Sequence, residues 1–236
     1  MRKPSSDPAK PAKIRGKDFH IGRKGYWRDI RRIDHPLLKG KFEGDWEIEN
    51  ARQELECRKG KFRYHVWRNE WEQCLDMLQP RERLSYLLSL RRHIGDDEEL
   101  LQLLRHVLAQ NPTLHAYEFA LHQFYRRMGS RTPWSEMMTE AEIERFRCMP
   151  ARVALWQGSG NPGLGWAWTP DRELALGYAR SHAEHSLRQQ GYLFQGQVPK
   201  TSIVGILLDT PPGHETIFAN PDRIQVMDGA IVGKGA

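Results

Sequence analysis

The sequence is poor in cysteine and has no long hydrophobic run. Its three cysteines, Cys57, Cys74 and Cys148, are too few and too scattered for a disulfide framework or a zinc site. No apolar stretch approaches the roughly 18 residues that a membrane-spanning helix needs. In a secretory signal an apolar stretch follows the basic residues, and no such stretch follows the basic N-terminal residues here. We therefore expect a cytoplasmic protein without a membrane segment.

Several motifs that identify common enzyme classes are also missing. The chain has no Gly-x-Ser-x-Gly nucleophile elbow, no phosphate-binding P-loop, no His-Glu-x-x-His zinc motif and no Gly-x-Gly-x-x-Gly dinucleotide fingerprint. Hydrolase, kinase, zinc-protease and Rossmann-type functions therefore have no support. His182 and His185 are spaced as a helical pair, but no third ligand of suitable spacing follows, so we predict no metal site.

The positive charge of the chain is concentrated near its N-terminus. The net charge is +6, and residues 1–35 hold eleven Lys and Arg against four Asp, so this segment carries +7 and the remainder −1. Residues 1–25 are rich in Pro, Gly, Ser and Lys and lack periodicity, which predicts a disordered basic leader. Such a leader either contacts nucleic acid or an acidic partner, or is a solvated terminus.

Residues 26–149 are predicted to form a mainly helical domain. The spacing of Trp27, Ile30 and Ile33 predicts a short helix that packs on the body of the protein. Helical periodicity, in which Trp67 belongs to an apolar face, predicts five more helices, at 62–78, 84–94, 98–109, 112–125 and 139–146. The last of these begins with Thr139-Glu-Ala-Glu142, which fits a capping box.

The composition changes at Pro150. From there to residue 236, short apolar segments are broken by Gly and Pro, and a single helix is predicted at 172–189. The predicted strands are 153–156, 165–168, 192–198, 203–209, 215–219 and 224–232. One helix among six short strands predicts an α+β domain over residues 150–236.

Three separated motifs lie on these predicted strands. The first is Leu155-Trp-Gln-Gly-Ser159, the second is Gly165-Trp-Ala-Trp-Thr-Pro-Asp171, and the third is Glu215-Thr-Ile-Phe218. In order and spacing, residues 138–232 resemble the ADP-ribosyltransferase superfamily. The resemblance implies an α+β chain in which an N-terminal helical bundle precedes a C-terminal ADP-ribosyltransferase-like split β half-barrel.

The resemblance also implies an activity. NAD would be the substrate, and ADP-ribose would be transferred to a macromolecular acceptor such as a host protein, as phage and bacterial members of the superfamily do. Glu215 would be the catalytic carboxylate, which stabilises the oxocarbenium-like ribose left by nicotinamide. The implied cofactor-binding residues are Gln157, Gly158, Trp168, Thr169 and Tyr178.

Three positions depart from the family's pattern. Gln157 stands where the family has Arg or His, and its neutral amide lacks the charge and the bidentate fork of Arg. Ala167 replaces the serine of the second motif, and Gly213 replaces a carboxylate that selects arginine as acceptor in many relatives. The departures at Gln157 and Ala167 favour an alternative, a catalytically inactive half-barrel that acts as a protein-interaction module, and Gly213 makes arginine less expected as the acceptor. A third possibility is a nucleic-acid binder that uses the basic residues between positions 2 and 32.

Overall fold

The structure is a computed structural model that describes residues 17–21, 30–110, 118–128, 134–185, 190–210 and 214–233. These residues form nine strands and seven α-helices, and every strand pair is antiparallel. The predicted α+β class is confirmed at this level. The chain divides into two compact units, residues 1–95 and 96–236. Within the described residues, no helix is both long and apolar enough to cross a bilayer.

The described residues of the first unit form a three-stranded antiparallel sheet, in the order β1-β2-β3, followed by three helices. Its elements are β1 (Lys17–Ile21), β2 (Ile30–His35), β3 (Leu38–Glu43), α1 (Asp45–Arg68), α2 (Trp71–Met77) and α3 (Pro80–Leu90). A tight turn joins β2 to β3, and in it the N–H of Leu37 donates to Nδ1 of His35 at 3.1 Å.

The short helix predicted around Ile30 and Ile33 is wrong, because both residues belong to β2. Ile33 and His35 are buried whereas Asp34 between them is exposed, which is the two-residue alternation of a strand. Over so few residues, the spacing of the apolar side chains did not distinguish the helical period from the two-residue period of a strand. Of the predicted leader, β1 is described; the other residues of the leader, like Trp27, lie outside the described residues.

The helix predicted over 62–78 is two helices, α1 and α2. Asn69 takes the left-handed conformation (φ 58°) and its N–H donates to the carbonyl of Val66, which ends α1. In the other direction α1 extends back to Asp45 through a polar stretch with i,i+3 and i,i+4 ion pairs. Trp67, predicted on an apolar face, is 70% exposed, because it lies about 100° around α1 from Val66, a residue of the buried face.

The second unit contains two three-stranded sheets and four helices. Its elements are α4 (Asp97–Ala109), α5 (Glu118–Met128), α6 (Glu140–Cys148), β4 (Arg152–Ser159), β5 (Ala167–Trp168), α7 (Arg172–His185), β6 (Gln190–Pro199), β7 (Ile203–Thr210), β8 (His214–Ala219) and β9 (Gln225–Gly233). The strand orders are β4-β6-β9 and β5-β8-β7. All six predicted strands and the helix after the second motif are confirmed, with shifted ends.

The boundary predicted at residue 149 falls inside the second unit. Ile143 and Phe146 of α6 pack against a buried cluster formed by the strands, and the N–H of Trp134 donates to the carbonyl of Val204 at 2.8 Å. The composition changes at this point because helices give way to strands. The hydrophobic core nevertheless continues across it.

Candidate functional site

The three motifs lie on three neighbouring strands of the second unit. β5 pairs with β8, where Trp168 lies opposite Ile217. β5 is joined to β4 by an isolated bridge, in which Trp156 and Thr169 exchange both backbone hydrogen bonds at 2.7 and 2.9 Å. Across this junction the strands follow the order β7-β8-β5-β4-β6-β9. The fold therefore brings together segments that are far apart in the sequence.

Gln157 holds the loop between β4 and β5. Its side chain is 4% exposed, Oε1 accepts a hydrogen bond from the N–H of Gly165 at 2.8 Å, and Nε2 donates to the carbonyl of Ala167 at 2.9 Å. Glu118 of α5 lies close by, since its Oε1 would be 2.5 Å from a Cβ placed on Gly165. Both ends of the predicted cofactor-binding amide are thus bonded within the protein.

Trp168 and Thr169 are both buried. The indole N–H of Trp168 donates to the carbonyl of Gly165 at 2.9 Å, and the ring belongs to the same buried cluster as Leu155. The hydroxyl of Thr169 accepts from the N–H of Asp171 at 3.2 Å, and the carboxylate of Asp171 caps the start of α7. Trp168 is 1% exposed, so its indole offers almost no surface to a ligand.

Gly158 allows β4 and α7 to approach each other closely. A Cβ on Gly158 would overlap the carbonyl oxygen of Ala175 and lie 2.9 Å from Cβ of Tyr178. Gly191 of β6 has the same relation to the carbonyl of Ala179. Tyr178 is half-buried, and this burial raises the pKa of its phenol. Two predicted site residues, Gly158 and Tyr178, are therefore neighbours, and helix packing alone already requires the glycine.

Glu215 forms a bidentate ion pair with Arg145 of α6. Nε of Arg145 donates to Oε1 at 2.9 Å and Nη2 donates to Oε2 at 3.1 Å. The side chain of Glu215 is 16% exposed and that of Arg145 is 42% exposed. The hydrogen bond to Glu215 raises the pKa of Arg145. The predicted catalytic carboxylate is therefore held by a cation.

The position of α6 depends on the buried carboxylate of Glu142. It accepts hydrogen bonds from both guanidinium ends of Arg105, at 2.5 and 3.1 Å, and from the N–H groups of Thr139 at 2.7 Å and Leu208 at 3.0 Å. The predicted capping box is confirmed. Burial alone would raise the pKa of Glu142, but these hydrogen bonds and the charge of Arg105 outweigh it and lower the pKa. The network fixes the helix that carries Arg145.

Apart from Glu215, the predicted site residues lie on β4, on β5, at Thr169 directly after it, and on α7. Extending the pairing of the three strands puts Gly158 in one row with Ala167 and Phe218. Glu215 lies three residues from Phe218, which is about 10 Å along β8. The carboxylate is thus beside α6, at a different height of the sheet from the glycine corner.

Two arginines near the motifs were missed by sequence reasoning. Arg145 is 70 positions away from its partner Glu215, so no local pattern indicates it. The guanidinium of Arg172 lies 5.5 Å from the ring centroid of Trp156. Arg172 directly follows the second motif at the start of α7, and that placement was a usable signal for an arginine beside the junction.

No cluster of three or more His, Cys, Asp or Glu suited to a metal ion occurs within the described part of the chain. The ring of His182 on α7 lies beside Gly160, 3.3 Å from where a Cβ would stand.

Comparison of the chain with protein-family models, with curated protein sequences and with solved structures gave no match.

Proposed function

We propose that the second unit is an ADP-ribosyltransferase-like module that binds NAD and transfers ADP-ribose to a macromolecular acceptor. The observation that carries the proposal is the adjacency of β8, β5 and β4, the strands on which the three motifs lie. Two small antiparallel sheets that meet at Trp156 and Thr169 also suit the split β half-barrel that the motifs imply.

Glu215 is proposed to act electrostatically. As the glycosidic bond of NAD breaks, nicotinamide leaves with the bonding electron pair, and a carboxylate stabilises the positive charge that develops on the ribose. The acceptor's nucleophile then bonds to the ribose carbon and its proton passes to solvent. The residues proposed to line or support the cofactor site are Gln157, Gly158, Trp168, Thr169 and Tyr178.

Arg145 is proposed to supply the positive charge that the first motif lacks. The amide of Gln157 is neutral and bonded to Gly165 and Ala167. Arg145 uses two N–H groups to hold Glu215, out of the five that a guanidinium offers. It is thus able to orient the carboxylate and to donate to a pyrophosphate at the same time.

A second candidate function is a catalytically inactive half-barrel that binds another protein. The observation that favours it is that the polar groups of Gln157 and Glu215 are already bonded within the protein. Gln157 has both ends of its amide bonded internally, and Glu215 has both carboxylate oxygens bonded to Arg145. Both groups then have structural roles that need no cofactor.

Transfer of label from NAD tests the first proposal against the second. The protein is incubated with NAD labelled in its ADP-ribose part and with a bacterial lysate. The parent and a Glu144→Gln control, which removes an exposed carboxylate on α6, should transfer label, whereas Glu215→Gln should not. Arg145→Gln should retain reduced transfer, since it breaks the ion pair but keeps the carboxylate. Absence of transfer and of nicotinamide release by the parent would support the inactive module.

A further inference from the structure

Two aromatic side chains, Tyr64 and Trp67, lie on the solvent face of α1. The buried face of this helix is formed by Ile48, Ala51, Leu55, Phe62 and Val66. At 100° per residue, Tyr64 lies almost opposite the centre of that face, and Trp67 lies one turn further on. Tyr64 is 53% exposed and Trp67 is 70% exposed, with their ring centroids 6.3 Å apart.

Basic residues surround this aromatic pair. Residues 57–68 contain five Lys and Arg and no Asp or Glu, whereas residues 45–56 of the same helix contain five Asp and Glu and one Arg. Lys61 and Arg63 make no ion pair with any residue that the structure describes. Arg68 shares the carboxylate of Glu70 with His65. We define the α1 stripe as Lys61, Arg63, Tyr64, Trp67 and Arg68.

The charge of the whole first unit matches that of the stripe. Residues 1–95 hold 23 Lys and Arg against 14 Asp and Glu, a net charge of +9. Residues 96–236 hold 13 against 16, a net charge of −3. Of the +9, residues 1–35 carry +7 and residues 36–95, which include α1, carry +2. A positive field of this kind attracts polyanions.

We propose that the α1 stripe binds single-stranded nucleic acid. Exposed aromatic rings interleaved with Lys and Arg are the combination that binds unpaired strands, because bases stack on the rings while the cations contact phosphates. A duplex would use the cations but would leave Tyr64 and Trp67 without unstacked bases to contact. An apolar protein partner would gain nothing from the charged ammonium and guanidinium groups of Lys61 and Arg63.

Fluorescence anisotropy of the full chain with labelled 15-mers of oligo(dT) and oligo(U) tests this inference. Replacement of both aromatic residues, Tyr64→Ala with Trp67→Ala, should weaken binding tenfold or more, since each stacked base contributes strongly. Trp46→Ala is the matched control: Trp46 is 77% exposed on the acidic half of the same helix, and its loss should leave affinity unchanged.

The salt dependence of the binding constant distinguishes the contribution of the cations from that of the aromatic rings. Lys61→Gln with Arg63→Gln should make the plot of log K against log salt shallower by about 1.4, since each contact with a single strand contributes about 0.7. All variants change exposed side chains, and unchanged circular dichroism and unfolding midpoints would verify their fold. The proposal would be overturned if the protein bound a duplex more tightly than a single strand, or if the double aromatic variant kept the parent's affinity. It would also be overturned if the parent self-associated and the double aromatic variant did not.

Discussion

Arg145 and Glu215 are 70 residues apart in the sequence and form a bidentate ion pair, with nitrogen–oxygen distances of 2.9 and 3.1 Å. The pair joins α6 to the start of β8, and its two hydrogen bonds fix the orientation of the proposed catalytic carboxylate. Because α6 is itself anchored by the buried Glu142, the orientation of Glu215 depends on side chains from three parts of the second unit.

The ion pair should contribute measurably to stability. In a double-mutant cycle with Arg145→Gln and Glu215→Gln, we expect a coupling energy of about 1 kcal/mol, because the geometry is bidentate but Arg145 is partly exposed. The exposed pair Arg147 and Glu144, with a nitrogen–oxygen distance of 3.7 Å, is the control and should show almost none. Urea unfolding measures both cycles. Equal coupling energies in the two pairs would show that the ion pair between α6 and β8 stabilises the protein no more than an exposed surface pair does.

Glu142 should make stability depend on pH in the acid range. Its pKa is lower in the folded protein than in the unfolded chain, so its contribution is complete above about pH 4.5 and is lost as the pH falls below that value. Glu142→Gln should cost about 3 kcal/mol at pH 7, since it leaves the partly buried Arg105 without its charged partner. It should also flatten the acid slope of stability. A Glu142→Gln variant with the parent's acid slope would contradict this assignment.

Two glycines near α7 should respond in opposite ways to substitution by alanine. Gly158→Ala should destabilise by about 2–3 kcal/mol, because the added methyl group overlaps the carbonyl of Ala175. Gly177 lies inside α7, and a methyl group added there would have nothing within 4 Å, so Gly177→Ala should stabilise by about 1 kcal/mol. Chemical denaturation of both variants checks the pair. Stabilisation by Gly158→Ala would show that β4 and α7 do not approach so closely.

The three thiols should differ in reactivity. Burial raises the pKa of Cys74 to about 12, so it should not react with an aromatic disulfide reagent at pH 8, whereas the exposed Cys57 and Cys148 should. The hydrogen bond to Glu144 raises the pKa of Cys148, and Glu144→Gln should therefore accelerate its reaction. Two thiols are expected in the native protein and three in urea. Rapid reaction of all three without denaturant would be inconsistent with the buried position of Cys74.

The strands of the second unit could be predicted because their signal is local. Gly and Pro interrupt apolar segments between Val153 and Val232, and the turn at Thr169 to Asp171 carries a recognisable helix start. The error around Ile30 and Ile33 has a different origin. Three apolar positions in so short a segment fit a helix as well as a strand, and only the pairing of β2 with β3 decides between them.

The side-chain relationships could not be predicted in the same way. Arg145 with Glu215 and Arg105 with Glu142 are joined by tertiary packing, and no spacing in the sequence indicates them. The environment of Gln157 also depends on how the loop to Gly165 closes. The sequence shows that an amide replaces a cation there, but it does not show that both ends of the amide are hydrogen-bonded.

The unfolding midpoint of the purified chain in the presence of NAD tests the central claim most directly, because it needs no acceptor. At a concentration 100 times the dissociation constant, NAD should stabilise the protein by about 2.7 kcal/mol. The midpoint should then rise by several degrees, and nicotinamide should accumulate with the parent but not with Glu215→Gln. Superimposable unfolding curves with and without millimolar NAD, together with no release of nicotinamide, would contradict the proposed transferase.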